Sequence, residues 1–246
     1  MHRFFVDSSA IEPDRIVITG DDAHHLSKVL RIRENEEITV CDKEGTDYLC
    51  CISSVAQGEV VARILRKAPS SSEPPVRISL YQGVPKGDKL ETVIQKCVEL
   101  GVVKIVPVAM KRCVALIKDK DKAKKRERMQ RIAFEAAKQC GRAIIPSVEE
   151  VMSFDAALKE ASECCELKLL PYEAEKDNSI KTILKQNTNA KNICIFIGPE
   201  GGFDSSEVEK ALEQGFKSVS LGPRILRTET APLAAVSAVL YELGDW

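Results

Sequence analysis

From Val76 to the carboxy-terminal end, apolar β-like runs alternate with amphipathic helical stretches, and few folds accommodate that rhythm. Val76–Val84, Val103–Val108, Leu167–Leu170, Ile193–Ile197 and Ser218–Leu221 read as strands. Asp88–Leu100, Lys122–Cys140, Phe154–Ala161, Ile180–Gln186 and residues 204–214 read as helices, and Thr230 and Pro232 open a last apolar one. Such alternation predicts an α/β fold, a mostly parallel sheet with helices on both faces. Ile193–Ile197 is apolar throughout, as a strand covered on both sides must be.

The helices carry their own punctuation. Asp88 and Glu91 have the spacing of a capping box, Leu90, Val93, Ile94, Cys97 and Val98 share one face, and Gly101 is the stop. Asp204 and Glu207 repeat the box before 204–214. The helix 122–140 buries Met129, Ile132, Ala133, Ala136 and Cys140 and ends at Gly141, while the last helix carries Leu233, Val236, Val239, Leu240 and Leu243.

Residues 1–68 follow a different rhythm, with short β-like runs at Arg3–Val6, Arg15–Thr19, Glu36–Cys41, Asp47–Val55 and Glu59–Leu65. Turn signals at Lys43-Glu44-Gly45 and Gln57-Gly58 separate some of them, which predicts a small barrel or sandwich. One helix, Asp22–Leu30, interrupts the strands, with Asp21 or Asp22 as its N-cap. The proline-stiffened stretch 69–75 is a linker, so the expected organisation is 1–68, linker 69–75, and 76–246.

Nine cysteines, two of the pairs adjacent (Cys50–Cys51 and Cys164–Cys165), lack the spacing of a disulfide framework and suggest reduced thiols in a cytoplasmic protein. No zinc-ligand spacing, membrane-length apolar run or secretory signal is visible, so no metal and no membrane are expected. The net charge of −1 hides a segregation. Twelve Lys/Arg face four Asp/Glu between Lys111 and Arg142, and seven face fourteen between Ile145 and Glu213. Either a polyanion-binding face or a solvated lysine-rich helix accounts for the first segment, densest over Lys118–Arg128.

Two of the strands run directly into loops crowded with glycine and proline, Gly198-Pro199-Glu200-Gly201-Gly202 and Leu221-Gly222-Pro223-Arg224-Ile225-Leu226-Arg227-Thr228-Glu229-Thr230-Ala231. Glycine lets bare backbone approach a small ligand, and strand ends are where open α/β sheets bind one. Neither loop has the spacing of a P-loop or a dinucleotide fingerprint. Glu200 would repel a phosphate and suit a cation, whereas Leu221, Ile225 and Leu226 could wrap an aromatic base and a thioether.

With their flanks, Ile197–Phe203 and Leu221–Ala231, these loops resemble the cofactor signature of the SPOUT superfamily of knotted methyltransferases. Further blocks resemble one family in it, the 16S ribosomal RNA uracil-N3 methyltransferases: Arg3–Val6, His24–Arg31, Lys86–Glu91, Gln95–Gly101, Pro107, Arg112-Cys113, Glu135–Arg142 and Pro146. The resemblance implies a PUA-like RNA-binding β-barrel at 1–68 and a methyltransferase domain with a deep trefoil knot at 76–246. It also implies a homodimer that carries a methyl group from S-adenosylmethionine to N3 of a uridine. The alternatives are another RNA target, such as a guanine N1 of transfer RNA, and a non-catalytic RNA-binding, ribosome-associated protein.

Within that frame the donor is expected against Leu170, Pro171, Gly198, Pro199, Glu200, Gly201, Gly202, Leu221, Gly222, Ile225, Leu226, Arg227, Thr228 and Ala231. Glu229 and Arg227 are the candidates for base handling and charge stabilisation, although Glu229 could instead bind its own loop's N–H groups. Arg3, Lys28, Arg31, Lys86, Arg112 and Arg142 are candidates for RNA phosphate contact. His24 and His25 could stack on or donate to RNA, or simply cap their helix.

Overall fold

The computed structural model describes residues 3–56, 58–114 and 119–246, with no account of the side chains of 119–121. Gln57 of the second turn signal and Lys118 of the densest basic run lie outside the described residues. Two compact units emerge, the first comprising residues up to Glu73 with Ala137–Ile145, the second Pro74–Ala136 with Pro146–Trp246.

In the first unit, β1 (Arg3–Phe5), β2 (Arg15–Thr19), β3 (Glu37–Cys41), β4 (Thr46–Ala56) and β5 (Glu59–Pro69) form one sheet in the order β1-β3-β4-β5-β2. β1 and β3 are parallel, and the remaining pairs are antiparallel. Register shifts at Leu49/Cys50 and Ile52/Ser54 bend the long β4–β5 ribbon. The alternating apolar positions close over Phe4, Ile16, Ile18, Ile38, Val40, Ile52 and Val60. Pro69 still pairs with Thr46, so β5 extends into the first residue of the expected linker.

The expected helix Asp22–Leu30 needs correction. A short helix α1 (Gly20–His24) starts two residues earlier behind Thr19 and runs into a single π-turn, His25–Leu30, closed by Arg31 in the left-handed region. Gly20, at φ +68°, makes the early entry possible. Neither Asp21 nor Asp22 is the cap; both occupy the first turn, where negative charge meets the helix N-terminus.

The second unit is a parallel sheet in the order β12-β10-β11-β6-β7-β8, with β9 also on β7. Its elements are β6 (Arg77–Gly83), α2 (Lys89–Glu99), β7 (Lys104–Ala109), α3 (Asp119–Cys140, the last turn in the first unit), β8 (Ser147–Val148), β9 (Met152–Ser153), α4 (Phe154–Cys164), β10 (Leu167–Pro171), α5 (Ile180–Lys185), β11 (Asn192–Ile197), α6 (Ser205–Glu213), β12 (Lys217–Val219) and α7 (Ala231–Leu243). All five expected strands are present; the two-residue β8 and β9 are additional.

The central strands β6 and β11 are buried on both faces. Tyr81 stacks on Phe196 at 4.3 Å, and Phe216 meets the Phe196 edge at 4.9 Å. Helix α2 buries the five apolar residues its periodicity marks. Asp204 and Glu207 form a complete capping box. Asp88 does not: its side chain makes no cap bond, and Glu91 pairs with Arg128 instead. On α3, Met129, Ala133 and Ala136 are buried, whereas Ile132 and Cys140 are only half-buried. On α7, Val236, Val239 and Leu240 are buried with Pro232 and Ala235, while Leu233 and Leu243 remain partly open.

Candidate functional site

Three strands end at one place. β10 delivers Pro171-Tyr172-Glu173, β11 delivers the loop 198–203, and β12 delivers the loop 220–230. Together with Lys89 from the first turn of α2 they enclose a cavity of about 500 Å³. That volume lies in the range of small-molecule sites, and its place beyond the carboxyl ends of parallel strands is the usual one.

The glycines are dictated by close approach. Gly202 has φ +68° and closes a turn onto the Pro199 carbonyl at 2.9 Å. A Cβ there would fall 2.5 Å from Glu173 Oε1, and one on Gly198 would fall 3.1 Å from the Gly202 backbone. Gly83, at the end of β6, is constrained likewise, since its Cβ would fall 2.7 Å from Pro199 N. The 198–203 loop is therefore held with bare backbone folded tightly on itself and against Glu173 and the end of β6.

Thr228 locks the second loop to the first. Its hydroxyl donates to the Gly198 carbonyl at 2.8 Å and accepts from Gln82 Nε2 at 3.0 Å. Glu200 is held from the opposite side, by Lys89 Nζ at 2.8 Å and the Lys86 N–H at 3.1 Å. Partial burial alone would raise the Glu200 carboxyl, but these donors overcome it and hold the group below the usual carboxylate range. Lys89 also lies 3.8 Å from Glu229 Oε2, an oxygen that is buried without a hydrogen-bond partner among the described residues. The lining balances Glu173, Glu200 and Glu229 against Lys89, Arg224 and Arg227. The lining thus carries no net charge and offers both acceptors and donors to a ligand.

Of the expected donor residues, Pro171, Gly198, Pro199, Glu200, Gly201, Gly202, Leu221, Gly222, Ile225, Leu226, Arg227, Thr228 and Ala231 all line the cavity, as does Glu229. Leu170 does not; it is fully buried in the core beneath β10, and the next residue reaches the site instead. Sequence reasoning missed Lys89, Tyr172, Glu173, Ser220, Arg224 and Gln82. Lys89 sits in a block already singled out (Lys86–Glu91), and Glu173 lies just beyond a strand already placed, so signals for both were present. Gln82, a buried polar residue inside a strand, gave none.

The RNA candidates divide by unit. In the first, His24, His25, Lys28 and Arg31 are all exposed along α1 and its π-turn. Arg3 instead pairs with Asp47 and donates to Ser70 Oγ at 3.1 Å. Arg142 is not on a surface: it is 2% exposed and grips Glu73 at 2.6 Å. In the second unit, Lys86 and Arg112 flank the glycine loop, Arg112 donating to the Gly201 carbonyl at 3.1 Å. Among the described residues no three His, Cys, Asp or Glu side chains cluster as metal ligands, and no helix is long and apolar enough to cross a membrane. All nine cysteines are free thiols.

Comparison with known proteins agrees with this geometry. Residues 72–240 match the RNA methyltransferase domain family, and residues 18–65 match the RNA methyltransferase PUA domain family. Ribosomal RNA small subunit methyltransferase E of Bacillus subtilis is 36% identical over 98% of this chain and 97% of its own length. The Aquifex aeolicus protein of the same name is 32% identical over 98% and 99%. A crystal structure of the Neisseria gonorrhoeae ribosomal RNA small subunit methyltransferase E, bound to S-adenosyl methionine, superposes with a TM-score of 0.85 at 33% identity, covering 100% of this chain and 99% of that one.

Proposed function

The chain belongs to the RNA methyltransferase family and is an S-adenosylmethionine-dependent enzyme with a PUA domain, and from that premise we propose that it methylates N3 of a uridine in 16S ribosomal RNA. One observation carries the reading: both glycine–proline loops meet on a single cavity, in a chain related end to end to ribosomal RNA methyltransferases. The boundaries that fit it are an RNA-binding barrel at 1–68, a linker at 69–75 and the methyltransferase domain at 76–246.

The cavity fits the donor on two counts. Gly198 and Gly202 sit in a bend too tight for any Cβ, which leaves bare backbone on the cavity wall, and Glu229 offers an orphaned buried acceptor. The backbone of Gly198, Gly202, Leu221, Ile225 and Leu226 would hold S-adenosylmethionine, with Pro171 and Tyr172 closing one end. When bound, it supplies an electrophilic methyl carbon on a positive sulfur.

The remaining chemistry belongs to the chain's own residues. Uracil N3 must lose its proton, and it lies on the Watson–Crick edge, so the nucleotide has to be presented unpaired. Glu229 Oε2 takes that proton, and the exposed Arg227 guanidinium on the cavity wall stabilises the charge left on the pyrimidine. Fixing the two reactants in line contributes the larger share of the acceleration. RNA is held by His24, His25, Lys28 and Arg31 on the first unit and by Lys86 and Arg112 beside the glycine loop.

A deep trefoil knot agrees with the strand order. β10 and β11 separate β12 from β6, yet Thr228, after β12, is bonded to Gly198 after β11 and to Gln82 of β6. The loop after β12 therefore reaches past the end of β10 to the ends of β11 and β6 before α7 begins. A homodimer agrees with the apolar groups left open on the loop before α7 and along it, Ile225 at 85% exposure, Tyr241 at 74% and the half-buried Leu233. A ribosomal substrate places the protein in the cytoplasm, within reach of the small subunit or its assembly intermediates.

The test is mass spectrometry of nucleosides from small-subunit rRNA of cells with and without the protein. Loss of 3-methyluridine is the expected result. Unchanged 3-methyluridine removes the assignment, and loss of a methylguanine from transfer RNA transfers it to the alternative target.

A further inference from the structure

The basic run of α3 contributes neither to the cavity nor to the exposed face of the first unit. Between residues 124 and 131 of that helix, Lys124, Lys125, Arg126, Arg128 and Arg131 are all exposed, and Glu127 is the single acid among them. The opposite side of the helix is committed to the core through Met129, Ala133 and Ala136. A charged outer face is ordinary for a helix, so its function has to be argued from charge balance and location.

Charge balance is the first argument. Lys124, Lys125 and Arg131 make no ion pair among the described residues. Arg126 Nε donates to the neutral Val148 carbonyl at 3.1 Å, which leaves its charge uncompensated. Arg128 alone is paired, to Glu91 at 2.8 Å. Four cations thus share a short stretch with one carboxylate, although like charges this close repel one another.

Location is the second. Glu91, the partner of Arg128, stands two residues beyond Lys89 in the first turn of α2, and Lys89 lines the cavity. Lys86, exposed at the same end of α2, donates its N–H to Glu200. The ridge is therefore tied directly to the element that forms one wall of the site. A polyanion lying along α3 would pass the end of α2 that carries Lys86 and Lys89.

We propose that the α3 ridge, centred on Lys124, Lys125 and Arg131, is a track for the phosphate backbone of the RNA flanking the target nucleotide. The inference rests on the reading of the protein as an RNA methyltransferase. Phosphate contact requires only mobile cations on a shared face, which these exposed side chains provide, and it carries no base specificity.

The experiment compares the full-length triple variant Lys124→Gln/Lys125→Gln/Arg131→Gln with a control of equal charge change, Lys159→Gln/Lys181→Gln/Lys185→Gln, on exposed positions of α4 and α5. Affinity for a protein-free small-subunit rRNA fragment is measured from low to moderate salt, alongside donor affinity by calorimetry. Three lost contacts to single-stranded RNA should reduce the slope of log affinity against log salt by about 2, and lower affinity at least ~10-fold at low salt. Donor affinity should not change, and the control should keep the wild-type slope. A wild-type slope in the α3 variant, or an equal loss in the control, overturns the proposal while leaving the methyltransferase reading intact. Wild-type binding of protein-free RNA combined with loss of activity only on assembled subunits makes the ridge a protein contact and also overturns it. Failure of the wild-type protein itself to bind or methylate rRNA is the distinct result that defeats the underlying reading.

Discussion

Lys89 Nζ lies 2.8 Å from Glu200 Oε1, joining the first turn of α2 to the glycine loop after β11. The contact fixes a loop that contains three glycines and would otherwise sample many conformations. Lys89→Met should therefore weaken donor binding by about tenfold, the scale of a lost charge-assisted hydrogen bond, with little change in melting temperature. Lys89→Arg should recover most of it. The pH dependence follows from Glu200, whose folded value is depressed. The stabilisation of the loop is complete above the ordinary carboxylate value and disappears as pH falls through the lower, folded one. Calorimetric titrations across pH should show wild-type donor affinity holding to more acidic pH than that of Lys89→Met.

Thr228 is 6% exposed and couples the two loops through one hydroxyl. Thr228→Val keeps the volume but removes the donor to the Gly198 carbonyl, which should cost about 1–3 kcal/mol of stability. Donor affinity should fall with it, because the loops lose their register. Thr228→Ser should restore both, as read by thermal unfolding and calorimetry.

Gly202→Val tests the bend itself. The left-handed backbone at φ +68° costs a non-glycine residue about 1–2 kcal/mol. The added side chain also meets the Glu173 carboxylate. Donor binding should be abolished while the circular dichroism spectrum remains wild-type. Retained affinity would place the donor elsewhere.

Most of the second unit was legible because local signals and global packing agree there. The five apolar residues of α2 recur at helical spacing and are the five it buries, and the Asp204–Glu207 box forms as spaced. Failures arose where a nearby alternative partner competed. Glu91 has the spacing of a capping residue, but Arg128 on a distant helix claims it. Arg142 reads as a surface cation, yet Glu73 and the turn after α3 enclose it. The cavity was legible as two glycine loops, whereas its third wall, Tyr172-Glu173, follows a strand with no glycine to advertise it.

Arg142 and Glu73 should behave as a structural pair. Glu73 Oε1 also accepts from the Ala143 and Ile144 N–H groups at 2.9 and 3.0 Å, so the carboxylate organises the turn as well as the guanidinium. Glu73→Gln removes the carboxylate that Arg142 grips in the interior and should cost about 3–5 kcal/mol in denaturant unfolding. Arg142→Gln should likewise destabilise, without reducing the salt slope of RNA binding. A reduced slope at wild-type stability would return Arg142 to the RNA face.

Glu229 is the residue on which the proton-transfer reading depends. Its Oε2 is buried without a hydrogen-bond partner among the described residues, and Lys89 Nζ lies 3.8 Å away. Glu229→Gln preserves shape and removes only the basic oxygen, so it should lower kcat by about 10²–10⁴-fold. RNA affinity should stay near wild-type, and donor affinity should fall far less than kcat, since the amide still presents an oxygen to the cavity. Single-turnover methylation at saturating donor and RNA separates the two possibilities. A variant that turns over at the wild-type rate makes Glu229 a loop-organising carboxylate and passes the proton to another acceptor, whereas a loss confined to donor affinity makes it a binding residue.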